Sequence, residues 1–183
     1  VLAPNGFVIN VSSDPSQSID DRWLKFTAYD GTSMGIGNWA ETVKPGVTYK
    51  IDNNTMPYVV YRSAPSVLFV GPADGATRTQ VVSGVTYSYT FPKWGERTAG
   101  DTTTVPDPAF IGKRIRDHAL FRGRYTVAAG QNVVCSETDQ VFNFFQDTSV
   151  ALTAKDPFSV LATGEISAEL NWLLPVDETI LAF

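Results

Sequence analysis

The sequence has few of the residue types that build reactive centres. Its 183 residues include one cysteine, Cys135, and one histidine, His118. A single cysteine excludes an internal disulfide and a cysteine-based zinc site, and a single histidine excludes a histidine-rich metal site. Phosphate-binding and dinucleotide-binding glycine motifs and calcium loops are absent as well. We therefore predict no metal ion and no cofactor.

Charge and long apolar runs are also scarce. Charged residues make up 18% of the chain, against about 25% in an average globular protein. The formal net charge of −5 argues against a general nucleic-acid binder, because that role needs a basic face. No apolar run approaches the ~18 residues that a membrane-spanning helix needs. The hydrophobic content of 43% nevertheless supports a folded core.

Apolar residues recur at every second position, which is typical of strands. Residues 85–91 show this alternation most clearly, and the preceding Ser83-Gly84 fits a type I′ turn. We therefore predict a hairpin over 79–91. The same alternation or short apolar runs predict the remaining strands, which are 7–12, 24–29, 47–52, 148–153, 158–162, 168–174 and 178–183.

Two segments carry helix signals. The apolar spacing over 111–119 after Asp107-Pro108 predicts one or two helical turns, and a capping-box pattern at Ser136 predicts a short helix over 141–145. Because strand signals dominate elsewhere, the fold class predicted is mainly β, with antiparallel strands and few short helices.

The chain divides by composition near residues 100–108, which hold proline and threonine but no apolar periodicity. We predict an N-terminal β domain over 1–100 with an inserted hairpin at about 63–91, a linker over 101–109, and a further β domain over 110–183. The apolar run at 180–183 leads us to expect a piece of a longer polypeptide.

Basic residues concentrate over 113–124, where five bases accompany one acid, whereas 136–183 carry eight acids and one base. Three interpretations compete for this basic segment: a solvated face, a nucleic-acid contact, or pairing with carboxylates of the acidic C-terminal third or of a neighbouring subunit. We favour pairing, because arginine binds carboxylates bidentately and suits interfaces. The candidate ion-pair or subunit-interface residues are Arg114, Arg116, Arg122 and Arg124. On one strand, Arg122 and Arg124 would share a face.

Residues 31–35 (GTSMG) match the G-x-S-x-G nucleophile elbow of hydrolases, with Ser33 as the nucleophile. That motif needs a helix after the serine, and residues 36–39 (IGNW) are poor helix material. His118 is the one candidate base, and a lone histidine is more often structural. We therefore interpret residues 31–35 as a glycine-rich turn and predict that the chain is not an enzyme. We interpret Cys135 as a small buried hydrophobic residue.

A series of short motifs, each weak alone, occurs in a specific order. They are GNWAETV (37–43), NTMPY (54–58), Trp94, RTAGD (97–101), PDPAFIGKRI (106–115), LFRGR (120–124), NVVCS (132–136), FNFF (142–145), DPFSV (156–160) and LNW (170–172). In this order the chain resembles the tail tubular protein B, or nozzle protein, family of short-tailed bacteriophages over roughly 37–183. The family usually has Arg-Asn-Arg-Leu-Gly where this chain has RGRYT (122–126), and residues 63–91 match no family segment.

The resemblance implies a virion structural protein, a subunit of the tail nozzle ring through which the genome is ejected. It implies as partners further copies of the chain in a ring thought of as a hexamer, the tail adaptor ring protein, the tail fibres and double-stranded DNA in passage. It also implies assembly in the host cytoplasm and a propeller-like β domain beginning near residue 110.

The acidic composition fits such a channel. An acidic wall would repel the DNA phosphates, whereas basic residues on the wall would bind them and slow the passage of the genome. The alternatives are a hydrolase using Ser33 and a β-rich carbohydrate-binding module that contacts a receptor. Because a carbohydrate site needs exposed coplanar aromatic residues, we instead predict that Trp39, Trp94 and Trp172 are largely buried.

Overall fold

The computed structural model describes residues 2–12, 14–16, 21–163 and 169–183. The chain forms two compact units, which we call the scaffold unit (Val1–Tyr49 with Glu96–Phe183) and the inserted unit (Lys50–Gly95). The described residues are mainly β, as predicted, with antiparallel sheets and no helix longer than a single turn. No helix among them is long and apolar enough to cross a membrane.

The first sheet of the scaffold unit contains β1 (Leu2–Pro4), β2 (Val8–Val11), β3 (Arg22–Ala28) and β4 (Met34–Glu41). Its order is β1-β4-β3-β2. One face is packed on Phe26, which is fully buried and meets the ring of Trp39 edge-on at 5.2 Å between centroids. Gly37 permits the close pairing of β3 and β4, since a Cβ there would lie 2.0 Å from the carbonyl oxygen of Thr27.

The inserted unit consists of two hairpins. β5 (Val59–Ala64) pairs with β6 (Val67–Gly71), and β7 (Thr77–Val82) pairs with β8 (Val85–Thr90). Ser83 and Gly84 have φ angles of 52° and 79°, as a type I′ turn requires, so the hairpin predicted over 79–91 is confirmed. Its core contains Phe69 and Phe91, and one 3-10 turn covers Asn53–Thr55.

The second sheet of the scaffold unit contains β9 (Ile115–Phe121), β10 (Arg124–Ala129), β11 (Asn132–Cys135) and β12 (Phe158–Leu161). Consecutive strands are neighbours, in the order β12-β11-β10-β9. The hairpin of β13 (Leu173–Val176) and β14 (Thr179–Ala182) packs on this sheet. Leu170 and Leu173 contact Ala128 there, and the backbone nitrogen of Leu173 donates to Asp117 Oδ2 at 2.7 Å.

Several local predictions were wrong. Both helices are absent: residues 115–121 form β9, and residues 141–145 form turns. The spacing of Ile111, Ile115 and Ala119 fits a period of two as well as a helix, and exposure alternates along β9. Residues 47–52 and 148–153 form no strand. The carbonyl of Thr48 instead accepts a hydrogen bond from Arg97, and the backbone nitrogen of Ser149 donates to Glu41.

The other strand predictions are confirmed at 7–12, 24–29, 158–162 and 178–183, with boundaries shifted by up to two residues. The strand predicted over 168–174 overlaps the structure only at its end, because β13 starts at Leu173. Residue 168 itself lies outside the described residues.

Candidate subunit-interface residues

The basic segment 113–124 forms most of the β9–β10 hairpin. Arg114 is exposed directly before β9, Arg116 lies on β9, and Arg124 begins β10. Arg122 is a turn residue with a φ of 49°. Because Arg122 is not on a strand, the expectation that Arg122 and Arg124 share one strand face is wrong.

The turn itself explains one departure from the family pattern. Arg122 and Gly123, with φ angles of 49° and 73°, connect β9 to β10. Asparagine and glycine are the residues that accept positive φ most readily. The family's asparagine at the second position is therefore compatible with the same turn. In this chain a Cβ at Gly123 would lie 2.6 Å from Asp139 Oδ1, so a larger residue there requires Asp139 to move.

Two arginines of the segment meet carboxylates of the C-terminal third. Arg116 donates to Glu169 Oε2 from Nε at 3.1 Å and also from Nη2. Arg122 Nη2 lies 3.3 Å from Glu178 Oε2, but Glu178 is 89% exposed. Exposed pairs of this kind contribute at most about 1 kcal/mol to stability, so their role in holding the monomer together is small.

Arg124 binds main-chain oxygens instead. Its guanidinium donates to the carbonyls of Ser136 at 2.5 Å, Ala154 at 2.7 Å and Asp156 at 2.9 Å. It also lies 5.1 Å from the ring centroid of Phe158. This single side chain therefore ties the start of β10 to both ends of the connection between β11 and β12, a contact that requires the planar fork of arginine.

The one acid of the basic segment, Asp117, also has a structural contact. Its carboxylate accepts hydrogen bonds from the backbone nitrogens of Leu173 at 2.7 Å and His118 at 2.9 Å. These bonds, chiefly the one from Leu173, lower the pKa of Asp117. The ionised carboxylate thus helps to dock the β13–β14 hairpin on β9.

The sequence analysis missed Arg97, which is 2% exposed. Its Nη1 donates to the carbonyl of Thr48 at 2.5 Å, its Nη2 donates to Asp107 Oδ1 at 2.7 Å, and its guanidinium lies 5.0 Å from the ring centroid of Phe145. Its position in the RTAGD motif was the one sequence signal that could have identified Arg97. The residues around it contain no pattern that distinguishes a buried arginine from an exposed one.

Glu41 was missed for the same reason. It accepts hydrogen bonds from Thr148 Oγ1 at 2.7 Å and from the nitrogen and Oγ of Ser149 at 2.8 and 2.5 Å. Burial opposes ionisation of Glu41, but the bonds from Ser149 and Thr148 outweigh it, so the pKa is lowered. The ionised form therefore holds residues 148–149 against the end of β4.

The hydrolase alternative finds no support in the geometry. Ser33 directly precedes strand β4, where the nucleophile elbow requires a helix. His118 lies on β9, and its ring contacts Tyr125 at 5.5 Å between centroids. Cys135 is buried as predicted, and burial raises the pKa of its thiol. In the described ranges no His, Cys, Asp and Glu side chains cluster as metal ligands would.

The prediction that Trp39, Trp94 and Trp172 are largely buried is confirmed only in part. Trp94 is 4% exposed, which confirms the prediction for that residue, and Trp39 is half-buried. Trp172 is 64% exposed, so the prediction was wrong there. Its backbone pairs with that of Phe183 through two hydrogen bonds, which extends the β13–β14 hairpin while leaving the indole outside.

Large apolar side chains are exposed along strands of both units. They include Leu2, Met34 and Ile36 in the first sheet, Val60, Leu68 and Val70 in the inserted unit, and Phe158, Val160 and Leu161 in the second sheet. All four residues of β12 are exposed. A groove of about 300 Å³ beside it is lined by Pro108, Val134 and Phe158, among others. Exposed apolar side chains that lie side by side on one face, as Leu2 and its register partner Ile36 do, are typical of interaction surfaces.

Comparison with known proteins confirms the family resemblance and extends it to residues 1–36 and 63–91, where no family motif was recognised. The sequence model of a family described as bacteriophage nozzle protein matches residues 1–183. The chain is also 27% identical to the tail tubular protein gp12 of Escherichia phage T7 over 179 residues, which is 98% of this chain. It spans 19% of the length of that relative.

Proposed function

This chain belongs to the bacteriophage nozzle protein family, whose members are structural proteins of the phage tail and not enzymes, and we propose that it is part of a ring-forming nozzle subunit. In this proposal, identical subunits surround a bore through which the phage genome is ejected. The ring is a hexamer that is assembled in the host cytoplasm and contacts the tail adaptor ring protein and the tail fibres.

The observation that carries the proposal is the exposure of apolar strand faces. Phe158, Val160 and Leu161 of β12 are each about half exposed, and Ile36 and Leu2 are more so. Exposed apolar faces do not stabilise a free monomer, whereas in an assembly they are buried against neighbouring subunits. Contacts between two different faces of identical copies are heterologous, and heterologous contacts close into rings when the rotation allows it.

We also propose that residues 110–183 begin a propeller-like domain, with 1–100 as the preceding β domain and 101–109 as the connection. The second sheet supports this division. Its strands β9 to β12 follow one another as antiparallel neighbours, and a four-stranded sheet of this kind is the unit from which propeller blades are built. The β13–β14 hairpin then starts the next blade.

The charge distribution fits passage of DNA without retention. Arg116 and Arg122 already face Glu169 and Glu178, so their charge is partly neutralised within the chain. The surrounding C-terminal third is acidic. A bore wall with this balance repels phosphates, whereas free arginines would bind them and release counterions.

Electron microscopy of the purified full-length protein tests the proposal. We expect closed rings, with the bore lined by acidic or neutral side chains. A protein that remains monomeric at high concentration contradicts the ring, and a bore lined by the arginines of 113–124 contradicts the repelling wall. The two outcomes are independent, because ring formation is scored from particle shape and the wall from the reconstructed side chains.

A further inference from the structure

One dipeptide of the sequence carries chemistry of its own that the nozzle function does not use. Asn5 is the single asparagine of the chain that precedes a glycine. It lies with Gly6 in the turn between β1 and β2. In an asparagine–glycine pair the backbone nitrogen of the glycine can reach the asparagine side chain, because glycine has no Cβ to obstruct the approach.

The reaction is an intramolecular displacement. The Gly6 nitrogen attacks Cγ of Asn5, the new N–Cγ bond forms, the Cγ–Nδ2 bond breaks, and Nδ2 leaves as ammonia with the proton that the Gly6 nitrogen gives up. The product is a five-membered succinimide. Water then opens the ring at either carbonyl and gives aspartate or an isoaspartyl residue, so that no oxidant or enzyme is required.

The fold binds both reacting groups through hydrogen bonds. The Gly6 nitrogen, which must become the nucleophile, donates to the carbonyl of Phe26 at 2.9 Å. The carboxamide that must be attacked is held at Oδ1, which accepts a hydrogen bond from the backbone nitrogen of Ala28 at 3.1 Å. The Asn5 nitrogen itself donates to the carbonyl of Ser33 at 3.1 Å.

Burial adds nothing to this restraint. Asn5 and Gly6 are both exposed, and the position of a Cβ on Gly6 has no neighbour within 4 Å. Water and hydroxide therefore reach the pair freely. Protection of the dipeptide depends on the bonds to β3 and to the turn before β4, which persist only while the first sheet is closed.

We propose that Asn5-Gly6 is a deamidation site that the closed first sheet keeps unreactive. Opening of the sheet edge frees the Gly6 nitrogen and the Asn5 carboxamide together, and the succinimide then forms. Conversion to isoaspartate also weakens the closed sheet, because it lengthens the main chain by one atom and turns the side-chain carbonyl that bonds the Ala28 nitrogen into a main-chain carbonyl. Because the reaction is irreversible, the fraction of chains converted at Asn5 increases with the time that the first sheet spends open.

Peptide mapping by mass spectrometry tests this on the full-length protein. Samples are incubated at mildly alkaline pH, either folded or in urea, and the peptide with Asn5 is scored for the acid and isoaspartyl products. We expect deamidation to be about tenfold or more slower in the folded protein, because two hydrogen bonds must open first. Equal rates in the two states overturn the proposal.

A pair of core variants locates the protection. Phe26 in β3 and Val127 in β10 are both fully buried. We expect Phe26→Leu to accelerate deamidation of folded protein about threefold or more, and Val127→Ala to leave it unchanged, because only Phe26 supports the strand that binds Gly6. Equal acceleration by both variants overturns a local role of the first sheet. An Asn5→Gln variant, in which the five-membered succinimide cannot form, serves as the negative control.

Discussion

The arginines of the inserted unit and of the scaffold unit make contacts over different distances along the chain. In the inserted unit Arg62 donates to the nearby carbonyls of Ala64 and Pro65, while Tyr89 stacks on Tyr61 at 3.9 Å and meets Phe91 edge-on at 4.9 Å between centroids. The scaffold unit also contains aromatic contacts, such as that of Phe26 with Trp39, but its arginines reach further. Arg97 donates to the carbonyl of Thr48, 49 positions away, and Arg124 donates to that of Asp156, 32 positions away.

This difference parallels the position of the recognised sequence motifs. The arginines of the scaffold unit lie in the RTAGD and LFRGR motifs, whereas residues 63–91 hold no motif that was recognised in the sequence, although the family model covers them too. A unit with its own core can change its sequence if its apolar volume is kept. A side chain that must satisfy several fixed carbonyls has few substitutes, so the motif residues of the scaffold unit are more constrained.

The largest effect is expected from Phe91→Ala in the inserted unit. Phe91 is 1% exposed at the centre of the aromatic cluster, and removing a buried ring costs about 4 kcal/mol. Hydrogen exchange should show loss of protection over residues 50–95 and unchanged protection in β10. Val85→Ala, at an exposed position on β8, serves as control. Loss of protection across both units contradicts the separation.

Arg97→Met is the corresponding change in the scaffold unit. It leaves the Thr48 carbonyl without its donor and removes the partner of Asp107, at a cost of about 3 kcal/mol. Urea denaturation followed by tryptophan fluorescence measures it. Because Asp107 is about half exposed, water can replace part of the loss there, so a double variant with Asp107→Asn should add little. Full additivity of the two changes contradicts the pairing.

Arg124→Lys and Arg122→Lys form a matched pair of substitutions two positions apart. Lysine cannot reach the three carbonyls that Arg124 binds, so we expect a loss of about 2 kcal/mol. The exposed Arg122–Glu178 pair should change by less than about 0.5 kcal/mol. Thermal unfolding of both variants measures the difference in stability. Similar losses of stability would contradict the view that Arg124 is held by three carbonyls while Arg122 forms only an exposed ion pair.

Acid should affect the inserted unit through Asp74. Hydrogen bonds from the Arg78 side chain and from the Ala76 nitrogen lower the pKa of Asp74 from 3.8 to about 2. A carboxyl with a depressed folded pKa stabilises the fold above its unfolded pKa. That contribution is therefore lost as the pH falls from about 4 towards 2. Titration of the carboxyl by NMR measures it, and Asp74→Asn should flatten the acid limb for this unit alone.

The sequence predicted features that depend on neighbouring residues. The Ser83-Gly84 hairpin was found because positive φ at two successive positions demands particular residue types. The β9 strand was mistaken for a helix, since three apolar residues four apart satisfy both periods. Arg97 and Glu41 escaped detection, because the Thr48 carbonyl lies 49 residues from Arg97, and Thr148 and Ser149 lie 107 and 108 residues from Glu41, so these contacts leave no local pattern.

The candidate arginines illustrate the same limit. The sequence identified Arg116 and Arg122 as basic residues near abundant acids, but it could not assign Glu169 and Glu178 as the carboxylates they face. For Arg124 the acidic composition was a poor guide, because its partners are carbonyl oxygens that every residue carries. Whether these arginines also reach a neighbouring subunit stays a prediction.

The hydrogen bond from the Arg97 nitrogen to the Tyr49 carbonyl, at 2.8 Å, joins the two positions between which residues 50–95 are inserted. The scaffold unit thus closes its own backbone at the two ends of the inserted segment, and loop closure becomes only slightly costlier as the enclosed segment lengthens. Shortening, replacement or enlargement of that segment is consequently compatible with an unchanged scaffold. The Tyr49–Arg97 pair is therefore a suitable position at which to graft a different segment onto the scaffold unit by design.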